Sequence, residues 1–133
     1  MREGFRFCRG HREAVTLLMR TSIDRGELEP HWQREQHMPF LGRAGAILAR
    51  VLGRSERDGR LLLQTMNHLI VRYTLSSARE LALVTGIHAD PATEPSEAAK
   101  REAVQVIEDH LVEVARGMLV PQLRAASRGV DAA

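Results

Sequence analysis

The stretch from Arg60 to Gly86, RLLLQTMNHLIVRYTLSSARELALVTG, constrains the fold more than any other part of this chain, because it is apolar around more of its circumference than a helix with one neighbour requires. Leu62, Met66, Leu69, Ile70 and Tyr73 repeat at helical spacing and form one stripe. Leu63, Asn67, Val71 and Thr74 form a second stripe on a different face. A helix patterned in this way is sandwiched between its own domain and something else, and a second subunit is the natural cover.

The rest of the composition agrees with helices. A chain of 133 residues is large enough to bury one core and too short for two good ones. Aromatic content is only 4%, and β-branched clusters bounded by turn residues are missing, so an all-α fold of about five helices is expected. The formal charge of +2 divides unevenly, with 12 Lys+Arg against 8 Asp+Glu over residues 1–60 and 7 against 9 over residues 61–133. That excess is far from the strongly positive face needed to bind a phosphate backbone. The single cysteine, Cys8, excludes an intramolecular disulfide and a zinc site built on cysteines. No apolar run approaches the ~20 residues of a membrane span and the N-terminus has no signal-like apolar region, so a soluble cytoplasmic protein is expected.

Along the chain, Gly4 and Gly10 discourage a helix, and residues 1–10 read as a flexible arm ahead of a single domain over residues 11–120. Ala14, Val15, Leu17, Leu18 and Met19 predict a short amphipathic helix from His11 to about Ser22, stopped near Gly26. Pro30 opens a second helix, running from about His31 to Leu52 with Gly53 beyond its end and a kink at Pro39. Its buried stripe is expected to be His37, Phe40, Leu41, Ala44, Ile47, Leu48 and Val51. Beside that stripe, Gly42, Gly45, Ala46 and Ala49 permit either close helix crossing or an empty space. Ser55 caps the central helix, Ser76-Ser77 break it, a short helix follows from Ala78 to Thr85, and the prolines of residues 87–95 make a loop. Ser96 caps a last helix that Pro121 ends, leaving residues 121–133 as a flexible tail.

Few side chains suggest chemistry. His31 and Glu35 are spaced to share a helix face, and with His37 nearby they offer the alternative reading of a small metal-binding protein or metal-dependent enzyme, although the three do not converge well. His68 and His110 could meet across a bundle or serve as interior histidines. Cys8 and the serines lack a base and orienting acid at recognisable spacing, there is no Gly-rich phosphate loop, and the adjacent Glu108 and Asp109 diverge on a helix. Arg50, Arg54, Arg57 and Arg60 are interleaved with Glu56 and Asp58 and read as a solvated helix end. A non-enzymatic protein without a cofactor is expected.

Several strings resemble, in order and spacing, the C-terminal regulatory domain of TetR-family transcriptional regulators, in particular the CecR-like subgroup. They are the turn Leu28-Glu29-Pro30 after a short helix, the Pro39-containing helix ending in Ile47-Leu48-Ala49-Arg50-Val51-Leu52-Gly53, the long helix with Tyr73, and the closing helix with Glu108-Asp109-His110-Leu111. Together they span about residues 11–120. The chain departs from the family in a short Pro30–Pro39 segment and in Met66, Asn67 and His68 ahead of the tyrosine. Only residues 1–10 precede the match, so the helix-turn-helix unit of the family is not expected here, nor direct DNA contact by this chain.

The resemblance implies an effector site between the kinked helix and the long helix. Here that region is expected to be lined by Trp32, His37, Phe40, Ala44, Met66, Asn67, Ile70 and Tyr73, which suits a mostly apolar or aromatic small molecule. The surplus apolar faces predict a homodimer in which the central helix and the helix from Ser96 to Val120 of each subunit form a four-helix bundle, with Leu63, Val71, Ala103, Val106, His110 and Gly117 at the interface.

Overall fold

The computed structural model describes the backbone of residues 1–130 and the side chains of residues 1–120. Every regular element among them is helical: α1 (Arg2–Gly10), α2 (Arg12–Arg25), α3 (Pro30–Trp32), a π-helical turn (Gln33–His37), α4 (Met38–Leu52), α5 (Glu56–Leu75), α6 (Ala78–Val84) and α7 (Glu97–Val130). α3, the π-turn and α4 follow one another without interruption and form one rod.

The boundaries follow local chemistry. Ser55 Oγ accepts a hydrogen bond from the Asp58 amide at 3.1 Å, Ser77 Oγ from Glu80 at 3.0 Å and Ser96 Oγ from Ala99 at 3.2 Å, which supplies acceptors for amides that have no partner inside their own helices. The Glu29 carboxylate does the same for the Trp32 amide at 2.7 Å, with Pro30 in the first turn. Gly26 and Gly53 stop α2 and α4 with φ of 74° and 60°, a conformation that costs glycine little.

α5 is the hub, touching α1, α2, α4 and α7. Its crossing with α4 is made by glycines. A Cβ built on Gly59 would fall on the Gly45 carbonyl oxygen and 2.9 Å from Ala49 Cβ, so the two backbones are in contact. Of the two readings of the small-residue strip, close crossing is the one found at Gly45 and Ala49.

Residues 1–10 are the first correction, because they form helix α1 and carry part of the core. Phe5 is fully buried, in a cluster with Ile70, Leu81, Ala82, Ala103, Ile107 and Leu111. Gly4, read as a helix breaker, is a contact residue instead: a Cβ there would stand 3.2 Å from Ile70 Cδ1, so its absence lets α1 lie close on α5. Four arginines hold α1 and the start of α2 in place. Arg6 grips the buried Glu108 carboxylate through Nε at 3.0 Å and Nη2 at 2.8 Å, while Arg2 pairs with Asp109. Arg9 donates to the Ser76 carbonyl at 2.8 Å, and Arg12 to those of Thr74 at 3.1 Å and Leu75 at 2.7 Å. These last two satisfy carbonyls at the C-terminal end of α5, where the helix dipole favours a cation. The adjacent carboxylates of α7 thus serve as anchors for α1.

At the other end, α7 continues past Pro121 to Val130, where the sequence predicted a stop. A proline removes one hydrogen bond from the ladder, and the residues on either side still make theirs. Of the expected tail, residues 131–133 lie outside the described residues. No helix among those described is long and apolar enough to cross a membrane.

Candidate functional site

The site begins with Pro39. In a regular helix its nitrogen would bond the carbonyl four residues back; lacking the hydrogen, it destabilises α-helical geometry just ahead of itself. The chain answers with a π-turn, in which the Met38 amide reaches the Gln33 carbonyl, five residues back. Residues five apart then share a face. The rings of Trp32 and His37 stack there, with centroids 5.2 Å apart and planes inclined by 22°.

The extra residue also rephases α4. The inward stripe runs Trp32, His37, Leu41, Gly45, Ala49, with one step of five followed by steps of four. Phe40, Ile47 and Val51, expected inside, are instead 46%, 61% and 58% exposed. Ala44 sits beside the Gly45 contact line and away from the stacked rings. Leu41 is buried and Leu48 half-buried, as expected, but the close crossing with α5 turns the small residues Gly45 and Ala49 inward and leaves Phe40, Ile47 and Val51 outside.

Beside the stacked rings is a cavity of about 440 Å³, within the size range usual for small-molecule sites. α5 contributes Gln64, Asn67, His68, Ile70 and Val71. α1 contributes Gly4, Phe7 and Cys8, and α2 with the loop after it contributes Leu18, Met19, Ser22 and Leu28. Trp32 and His37 close it from the rod. The apolar face of α2 looks into this space: none of its residues is fully buried, although its inward side chains are amphipathically arranged. A larger concavity of about 770 Å³ along Arg9–Arg20 opens broadly to solvent, and its Arg9 and Arg12 are already bound to the α5 carbonyls.

Of the eight residues expected at an effector site, the structure brings together Trp32, His37, Asn67 and Ile70. Phe40, Ala44, Met66 and Tyr73 do not line the cavity. Tyr73 faces the opposite way and meets His110 edge-on, with centroids 6.0 Å apart. Val71, expected at a subunit interface, is in the cavity wall. Ala103, expected there too, is fully buried in the core of its own chain. The second apolar face of α5 therefore meets α1 and α2, which reading residues 1–10 as an arm had removed from consideration. Leu63 is half-buried, and Val106, His110 and Gly117 are exposed on α7.

Phe7, Cys8, Leu18, Met19, Leu28, Gln64 and His68 were missed as a group. The spacing of Leu18, Met19 and Ser22 marked one helical face, but nothing local says that this face looks onto a void rather than into packed core.

No Arg, Lys, Asp or Glu lines the cavity. Burial, and then the neighbouring His68, hold the His37 imidazolium unfavourable, so His37 titrates below the ordinary histidine range and stays neutral. Burial pushes the Cys8 thiol up, which keeps it protonated and a poor nucleophile. Gln64 Nε2 lies 2.8 Å from His68 Nε2, and Ser22 Oγ donates to the Leu18 carbonyl at 2.8 Å. The ring of His37, the carboxamide of Asn67 and the buried Oε1 of Gln64 have no hydrogen-bond partner among the described residues.

The metal reading does not assemble. His31 Nδ1 is 3.1 Å from Glu35 Oε1 on the outer side of the π-turn, while His37 turns inward to Trp32. Among the described residues no group of three or more His, Cys, Asp or Glu side chains is placed to hold an ion. His68 and His110 likewise have separate partners, Gln64 and Tyr73. Comparison with family models, with curated proteins and with solved structures finds no match for this chain.

Proposed function

We propose that this chain is a non-enzymatic effector-binding domain, one that takes a mostly apolar small molecule into the cavity between α1, α2, the π-turn and α5. The observation that carries this is the cavity itself: about 440 Å³, walled mostly by apolar side chains, with the His37 imidazole and the Asn67 carboxamide unpartnered and no charged side chain in its lining. The order of helices and the resembling strings favour a regulatory domain of the TetR type, working as a homodimer through the exposed side of α7 with Val106, His110 and Gly117. The dimer is tested by light scattering at micromolar concentration, where a monomeric mass counts decisively against it.

The cavity is tested by a thermal-shift screen of neutral apolar compounds. A ligand present at a hundred times its Kd stabilises the fold by about 2.7 kcal/mol. Trp32, the only tryptophan, should report the same compounds by its fluorescence because it stands in the wall. Val71→Phe projects a ring into the space. It should abolish both signals while moving the melting temperature of the free protein little; stabilisation that survives Val71→Phe places binding elsewhere.

A further inference from the structure

We propose that the cavity selects a neutral, flat aromatic molecule whose polar edge sets a hydrogen-bond donor beside an acceptor, the arrangement of a lactam or other cyclic secondary amide, and that His37 and Asn67 read that edge. This rests on the reading of the cavity as a ligand site given above. Neutrality follows from the wall: an ionised guest would be taken out of water with no opposite charge to meet it, at a cost that only pairing could offset. The aromatic character follows from the apolar wall that includes the Trp32 and Phe7 rings.

The polar requirement comes from an inventory of the wall. Ser22 donates to the Leu18 carbonyl, and Nε2 of Gln64 is taken up by His68. Cys8 offers only a weak protonated thiol. Three groups remain unpaired: His37 on the π-turn, and Asn67 and the buried Oε1 of Gln64 on α5. A neutral imidazole has one N–H and one bare nitrogen, and a carboxamide has an NH2 and a carbonyl, so each offers a donor and an acceptor. A guest with a single acceptor, such as an ether or ketone, leaves the bare nitrogen and the carbonyl unmatched. A guest with both roles on one edge can satisfy both residues. The lack of any hydrogen bond from Asn67 to its own chain leaves its amide free to rotate to either role.

The test uses calorimetric titration of the full chain with two probes of nearly the same shape, 2-quinolone and 1-methyl-2-quinolone, which differ in the N–H donor. Wild-type protein should bind 2-quinolone at least about tenfold more tightly, the worth of one hydrogen bond. Whichever of Asn67 and His37 accepts from the N–H should, on Asn67→Leu or His37→Phe, narrow that ratio toward one, while loss of the residue that donates to the carbonyl weakens both probes, with circular dichroism reporting that both variants fold. Equal binding of the two probes by the wild type, or an unchanged ratio in both variants, overturns the assignment. If neither quinolone binds while purely apolar compounds from the thermal-shift screen still do, the donor–acceptor inference fails and the cavity reading stands. If nothing binds at all, both fail.

Discussion

The two ends of α5 pack by opposite rules. At its start Gly59 meets Gly45 and Ala49 of α4 so closely that no side-chain carbon fits between the backbones. Further along, Asn67 and Val71 line a cavity that α1, α2 and the π-turn also border. Both regions use glycine, but differently. Gly59 has backbone against it, whereas Gly4 has only the far end of the Ile70 side chain at 3.2 Å.

The contrast can be broken at its strongest point first. Phe5 is fully buried where α1 joins the core, while Phe7, two residues on at the rim of the cavity, is 65% exposed. Phe5→Ala should cost about 3–5 kcal/mol in urea denaturation. Phe7→Ala should cost well under about 1 kcal/mol. A small loss from Phe5→Ala would mean that α1 is not part of the core.

The next largest effect compares one substitution at two glycines. Gly59→Ala puts a methyl group on the Gly45 carbonyl, which no rotamer change relieves, and should cost about 3 kcal/mol, the upper end of overpacking. Gly4→Ala meets a side chain that can move, and gains ~0.5–1 kcal/mol from replacing glycine inside a helix, so it should be near neutral or stabilising. Equal costs at the two positions would remove the distinction between the tight and the open end.

The smallest expected effect is of pH. His37 is held neutral in the folded state by burial and by His68, while in the unfolded chain it titrates near 6.5. Below that value the unfolded state binds more protons than the folded one, so stability should fall as pH drops from about 6.5 toward the depressed folded value and level off beneath it. Denaturation midpoints for wild type and His37→Gln, taken at about pH 7 and about pH 5.5, isolate this contribution. An identical pH slope in the two proteins would mean that His37 is as solvated as an ordinary histidine.

Half of the candidate site was legible because Trp32, His37, Asn67 and Ile70 lie on strongly patterned segments around a proline. Phe40, Ala44, Met66 and Tyr73 were misplaced for two reasons. The bulky apolar residues of α4 mark its buried face only in part, since the crossing with α5 is made by the small side chains of Gly45 and Ala49. The faces of α5 were assigned without knowing that α1 and α2 cover one of them. Phe7 and Cys8 belong to a helix that two glycines disguised.

The sequence by itself determined the helices after residue 10 and most of their ends, because caps, left-handed glycines and periodic apolar residues act within a few positions of one another. It also determined that α5 would have two covered faces. Which elements cover them, that Pro39 is absorbed by a π-turn and not a simple kink, and that α2 faces a cavity were decided only in the tertiary structure. The physical reason is distance along the chain: Arg6 meets Glu108, Arg12 meets Thr74, and Gly45 meets Gly59, and none of these contacts has a local signature until the helices are packed.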